Sequence, residues 1–130
     1  MKFINTSGKR KKSIAHATLK PGTGVVRMNG QLIDNIHPDI GRLKIREPLI
    51  LSDHVYEKVN IDIQVQGGGA VSRCDAARLA LARALVKFDK KLEKTFIAYD
   101  RHLLVADIRR KEVRKPNDSR ARAARQKSYR

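Results

Sequence analysis

The sequence predicts an α/β fold in which a layer of strands carries helices on one face. Two observations lead to this prediction. Residues 59–66 alternate apolar and polar side chains with a strict period of two, which is typical of a strand with one buried face. An Ala- and Leu-rich run follows, up to about Phe88, and has the length and composition of a helix.

Shorter strands are predicted before the strand at residues 59–66 and the helix that follows it. Residues 13–19 form a strand candidate that ends at the Pro- and Gly-containing turn 21–24. Residues 25–28 form a second candidate. The Asn29-Gly30 dipeptide behind it is typical of a tight hairpin leading into the apolar residues 32–33.

The remaining segments give weaker patterns. Residues 36–52 are ambiguous, because Ile40, Leu43 and Ile45 indicate one helix and residues 49–51, after Pro48, indicate another. Ser72, with Asp75 three residues on, resembles a capping box and predicts the start of the long helix. Residues 103–105 form a last strand candidate.

The long helix has two contrasting faces at about 100° per residue. Two interpretations of the face that carries the small alanine side chains stay open. A polyanion backbone could approach the alanines between the cations, or the alanines could let the helix lie flat on the sheet. One arc holds Leu79, Leu81, Ala82, Leu85, Val86 and Phe88, and the opposite arc holds Ala76, Ala77, Ala80 and Ala84 with Arg73, Arg83 and Lys87.

The charge of the chain predicts an acidic partner. The 130 residues, enough for one domain, hold 29 Lys and Arg against 13 acids, a formal charge of +16. Residues 1–12 hold five bases and no acid, and residues 101–130 hold eleven bases against three acids. We therefore expect an RNA-binding core with a short basic N-terminal arm over residues 1–108, and an extended basic tail over 109–130.

Several functional classes find no support in the sequence. No apolar run reaches the roughly 18 residues of a membrane span, and no secretory signal is visible, so we expect a cytoplasmic protein. The single cysteine, Cys74, excludes a disulfide framework, and the scattered histidines predict no metal site. No catalytic constellation and no cofactor motif stand out. The few aromatics favour recognition of RNA shape and phosphates over base stacking.

Three consecutive glycines, residues 67–69, separate the predicted strand from the helix. The acid at Asp89 directly follows the helix, whereas a dinucleotide fingerprint needs its acid at the end of a second strand. No Gly-Lys-Ser/Thr follows either, so the segment is not a P-loop. Two interpretations remain: backbone amides that bind an RNA phosphate, or a simple turn.

Taken together, several segments resemble one known family, the universal small-subunit ribosomal protein nine family, in its archaeal and eukaryotic branch. The match extends over essentially the whole chain, although Arg73 stands where the family usually has Gln. The segments are Ser7-Gly8-Lys9-Arg10-Lys11, the glycines 67–69 with Ala76 and Arg83-Ala84-Leu85, Tyr99-Asp100-Arg101 with residues 103–105 and Arg109-Arg110, and residues 126–130.

The resemblance implies a fold and a location. The fold is a two-layer α+β arrangement with a small mixed sheet backed by helices and extended basic arms, as in the second domain of small-subunit ribosomal protein five. The place is the head of the small ribosomal subunit, among neighbouring head proteins and on its rRNA. The C-terminal tail is implied to reach the anticodon stem-loop of peptidyl-site tRNA, with Arg130 at the tRNA phosphates.

These considerations give two sets of candidate residues. The tRNA set is Arg130, Lys127, Tyr129 and Ser128. The rRNA set is Lys9, Arg10, Lys11, Lys12, Gly68, Gly69, Arg73, Arg83, Lys87, Arg109, Arg110, Lys111, Arg114, Lys115, Arg120, Arg122 and Arg125. Two alternatives to a structural ribosomal protein are a phosphotransferase that uses the loop 67–69 for nucleotide phosphates, and a free-standing DNA-binding or chaperone-like protein.

Overall fold

A computed structural model describes residues 3–118 and 120–123, which form a five-stranded mixed sheet with three helices. The strands lie in the order β1-β2-β5-β3-β4, and β3 runs parallel to β5 while the other neighbours are antiparallel. The elements are β1 Ile4–Arg10, β2 Ser13–Pro21, β3 Val26–Met28, β4 Gln31–Leu32, α1 Asp39–Leu51, β5 Val59–Gln66, α2 Ala70–Phe88 and α3 Leu92–Tyr99. The predicted α/β fold of the α+β type is confirmed.

The two central strands bury alternate side chains, as their sequence pattern predicts. Ala15 of β2 lies opposite Val65 of β5, and Ala17 lies opposite Ile63, and all four side chains are buried under the helices. The residues between them point to the other face of the sheet, where His16 and Gln64 are exposed. The core therefore lies on one side of the sheet only.

The predicted hairpin at Asn29-Gly30 is confirmed. Both residues have left-handed backbone, with φ of 51° and 83°, and they connect β3 to β4. The Asn29 side chain also binds β5, since its Oδ1 accepts from the Val65 amide at 2.9 Å and its Nδ2 donates to the Val65 carbonyl at 3.3 Å.

Residues 36–52 contain one helix, α1, and not two. Pro48 lies inside it and is buried, together with Ile45 and Leu49. The sequence left this segment open because proline usually ends a helix.

The long helix α2 lies flat on the sheet. Ala76, Ala77, Ala80 and Ala84 have no exposed surface, and α2 packs against β1, β2 and α1. The interpretation that a polyanion approaches this alanine face is therefore wrong. The helix also begins earlier than predicted, with Gly69 at its N-cap position and without the Ser72 capping box.

Two further expectations are corrected. Most of the expected N-terminal arm is strand β1, since Thr6 is buried and its hydroxyl donates to the Ala80 carbonyl at 2.8 Å. Residues 103–105 are not a strand. Arg101–Leu103 form a 3-10 turn whose Leu103 is fully buried, and the Asp100 carboxylate accepts from the His102 amide at 2.9 Å. In the part of the chain that the structure describes, no helix has the length and apolar character to cross a membrane.

Candidate nucleic-acid interface

The turn between β1 and β2 presents lysines at one end of the sheet. Arg10 and Ser13 form the last pair of the β1–β2 ladder, so Lys11 and Lys12 are the turn itself. Lys11 takes a left-handed conformation, with φ of 51°, and both side chains are exposed. The pairing of the strands thus fixes the position of these two charges.

The glycine loop packs directly against this turn. Gly67 and Gly68 have φ of 75° and 67°, and a Cβ on Gly68 would lie 2.0 Å from Ser13 Oγ. Ser13 is buried and its hydroxyl donates to the Gly67 carbonyl at 2.9 Å. Chain geometry therefore accounts for Gly67 and Gly68, whereas a Cβ on Gly69 would meet open space.

A third segment, residues 109–111, is held beside the turn by a carboxylate. Asp107 Oδ1 accepts from the Arg109 backbone amide at 2.9 Å, and Oδ2 accepts from the Arg109 guanidinium at 2.7 Å. Arg10 lies 3.6 Å from the same carboxylate. The hydrogen bonds from the Arg109 side chain, followed by the one from its amide, hold the pKa of Asp107 well below its usual range.

Together, the three segments line a groove of about 630 Å³, which we call the cationic groove. Six of its lining side chains are Lys or Arg and none is acidic, so the groove favours a polyanion such as a phosphate backbone. Its lining residues are Lys9, Lys11, Lys12, Ile14, Gly68, Gly69, Ser72, Arg109, Arg110 and Lys111. Eight of the predicted rRNA-binding residues therefore meet in one place.

Other predicted cations contact the protein itself. Arg10 turns toward the helices, 3.9 Å from the Asp75 carboxylate, and Arg73 Nε donates to the Gly67 carbonyl at 3.0 Å. Arg83 donates to the carbonyls of Ser7 at 2.8 Å and of Leu104 at 3.0 Å. Lys87 donates to the Asn5 carbonyl at 3.2 Å.

These contacts of Arg83 and Lys87 cover the backbone of β1. Since β1 is an edge strand of the sheet, its outer carbonyls would otherwise lack a partner in the sheet. Contact of either side chain with rRNA stays a prediction.

The candidates among residues 112–118 and 120–123 do not line the groove. Arg114, Lys115 and Arg120 are exposed, and Arg122 forms a fork with Glu112 through bonds of 3.0 and 2.7 Å. The candidates Arg125, Lys127, Ser128, Tyr129 and Arg130 lie outside the described residues.

Sequence reasoning missed two residues of this site. Ser13 joins the turn to the glycine loop, and Asp107 joins β1 to residues 109–111. The spacing of Asp107 and Arg109 fits an aspartate whose side chain binds the amide two residues on, which is the signal that could have found it. Within residues 3–118 and 120–123, no group of three or more His, Cys, Asp or Glu could hold a metal ion.

The fold and the groove define a small basic α+β domain with a surface suited to polyanions. The family model for ribosomal protein S9/S16 matches residues 8–130. Two curated relatives are small ribosomal subunit proteins uS9 from Methanococcus maripaludis strains C7 and C5, each 46% identical over all of both chains. The corresponding protein of Methanococcus vannielii is 44% identical over the same extent.

The chain belongs to the ribosomal protein S9/S16 family. It is a structural, non-enzymatic protein of the small ribosomal subunit, acts in translation, and is located in the cytoplasm as part of the ribosome. The resemblance stated from the sequence is thus confirmed, and the phosphotransferase alternative is rejected.

Proposed function

We propose that this protein binds rRNA in the head of the small subunit through the cationic groove, while its C-terminal tail contacts the anticodon stem-loop of peptidyl-site tRNA. In this division of roles, residues 1–108 are the RNA-bound core and residues 109–130 are the extended tail, whose first residues, 109–111, belong to the cationic groove.

The convergence of three separate segments on one acid-free groove supports the rRNA half of the proposal. Asp75 is neutralised by Lys44 at 3.0 Å, and Asp107 is neutralised by Arg109, itself one of the six groove cations, at 2.7 Å, so five lining cations remain in excess. The cations that line the groove therefore present a net positive surface to solvent. Lysine at a turn can approach a phosphate as a compact charge, and Arg109–Lys111 add donors from the opposite side.

The tRNA half rests on the family resemblance and on charge. The tail residues 126–130 match the family pattern, and Lys127 and Arg130 supply the cations. A guanidinium presents a planar fork of donors that suits phosphate oxygens.

Salt dependence of rRNA binding tests the groove. The affinity for a transcript of the rRNA head domain should fall linearly with salt on logarithmic axes. Replacing both Lys11 and Lys12 by Gln should make the slope shallower by roughly two units, about one for each lost phosphate contact. The matched control is Lys90→Gln with Lys91→Gln, another adjacent and exposed pair that does not line the groove.

Two results would count against the groove. One is an unchanged slope in the Lys11/Lys12 variant, and the other is an equal loss in the Lys90/Lys91 control. The second result would show that binding follows net charge and not this surface.

A further inference from the structure

Helix α1 carries an apolar stripe on its solvent side. Ile40, Leu43 and Ile50 are 59%, 58% and 72% exposed, whereas Ile45 and Leu49 on the other side are buried. Ile40, Leu43 and Ile50 lie within one narrow arc of a helix with about 3.6 residues per turn, together with Glu47, whose carboxylate pairs with Arg78 of α2. An ordinary surface helix has polar residues on this side.

The surroundings of this stripe differ in charge from the rest of the protein. Residues 34–58 hold five acids and four Lys or Arg, although the whole chain has a charge of +16. Arg42 pairs with Asp39 at 3.1 Å, Arg46 pairs with Asp34, and Lys44 pairs with Asp75 at 3.0 Å. Positive charge around α1 is therefore neutralised by neighbouring carboxylates, and rRNA has little to attract it here.

The acids at the rim of the stripe are accessible. Asp34 and Asp39 each pair with an arginine of α1 through Oδ1, but their side chains are 62% and 73% exposed, so each carboxylate can also reach a cation of another molecule. Apolar centres with charged rims are typical of protein–protein contacts. A second copy of this chain would have to overcome repulsion between two molecules of charge +16.

We infer that the outer face of α1, centred on Ile40, Leu43 and Ile50, docks a neighbouring protein of the small subunit. The partner presents an apolar patch flanked by Lys or Arg, which complements Asp34 and Asp39. The inference rests on the ribosomal role of the chain but not on which rRNA the cationic groove binds. The protein thus has a protein-binding face on α1 and an RNA-binding face at the groove.

Replacing Leu43 by a positively charged residue and, separately, by a negatively charged one distinguishes a protein partner from an RNA partner. The affinity of each variant is measured for two targets. One is a protein-free transcript of the head rRNA, and the other is small-subunit particles assembled without this protein. Leu43→Arg should weaken binding to the particles by about tenfold and leave transcript binding within about twofold. Leu43→Glu should weaken particle binding less, because its charge attracts the cationic rim.

The control is Val105→Arg, which adds the same charge at another exposed apolar position, 40% exposed, and should leave particle binding unchanged. Unchanged thermal unfolding midpoints of both Leu43 variants establish that the fold is retained.

Equal particle binding by wild type and Leu43→Arg would overturn the inference. Stronger binding of Leu43→Arg to the transcript, with Leu43→Glu weaker, would overturn it by showing that α1 faces RNA. Failure of the wild type to bind the transcript would instead contradict the proposed rRNA role of the groove.

Discussion

Gly8 of strand β1 lies against Ala76 of helix α2 so closely that a Cβ on Gly8 would be 2.5 Å from the Ala76 carbonyl oxygen. The same Cβ would lie 2.7 Å from the Ala80 amide nitrogen, so both nearest atoms belong to the helix backbone. Neither can move without displacing α2, and the edge strand therefore requires glycine at this position for packing.

We accordingly expect Gly8→Ala to lower the free energy of unfolding by about 1–3 kcal/mol, since added volume forces the strand from the helix. Urea denaturation measures the change. Ser7→Ala is the matched control, because Ser7 is exposed on the opposite face of the same strand and should change stability by less than about 0.5 kcal/mol. Equal stability of Gly8→Ala and wild type would contradict the close approach.

This contact also explains why β1 could not be predicted from the sequence. Its inward positions include Thr6 and Gly8, which give no apolar alternation, and their burial depends on a helix about seventy residues away. By contrast, β5 and the Asn29-Gly30 hairpin follow local rules, and the sequence predicts both.

The candidate site likewise has a part that the sequence predicts and a part that it does not. The cations that line the groove could be named from charge alone, but their convergence depends on contacts between distant segments. Ser13 binds the glycine loop, and Arg10 approaches Asp107 across nearly a hundred residues. Charge patterns identify which residues attract phosphate, whereas only the fold determines which of them act together.

Arg78 should contribute strongly to the stability of the helical layer. Its guanidinium pairs with Glu47 of α1 and with Asp100 just after α3, at 3.1 Å from the latter, and its side chain is 15% exposed. Arg78→Met leaves two partly buried carboxylates without their cation, and we expect a loss of about 1.5–3 kcal/mol in unfolding free energy. Denaturant titration monitored by circular dichroism measures it.

The control for this prediction is Arg122→Met, which removes an ion pair with Glu112 whose arginine side chain is 87% exposed. Solvent screens such a pair, so no measurable change is expected. Similar losses in the two variants would show that burial does not set the contribution of these ion pairs.

The Asp107 carboxylate should make the position of residues 109–111 dependent on pH. Its pKa is lowered in the folded protein, chiefly by the hydrogen bonds from the Arg109 side chain, so its contribution is present at neutral pH. This contribution should decline below about pH 4 and disappear as the pH falls through the lowered folded pKa. Arg10 faces the same carboxylate and favours its charged form.

NMR of the Arg109 amide, which donates to Asp107 Oδ1, measures this dependence. Its chemical shift should stay constant from pH 7 through the ordinary pKa of an aspartate, about 4, and change only at lower pH, where Asp107 is protonated. In Asp107→Asn the acid-induced change should be absent. A wild-type transition centred at the ordinary pKa of an aspartate would contradict the hydrogen bonds described.

Arg130 gives the most direct test of the proposed tRNA contact. Deleting this residue should leave subunit assembly intact, because the cationic groove and 28 of the 29 Lys and Arg remain. It should weaken peptidyl-site tRNA binding by about 1.5–3 kcal/mol if one charged hydrogen-bonded contact is lost. Binding of tRNA to mutant and wild-type subunits at matched salt measures the effect.

Arg120→Gln is the control, since it removes an exposed cation ten residues earlier and should leave tRNA affinity unchanged. Normal assembly with equal tRNA affinity after the deletion would remove Arg130 from the site, and an equal loss in Arg120→Gln would indicate general attraction between the tail and tRNA.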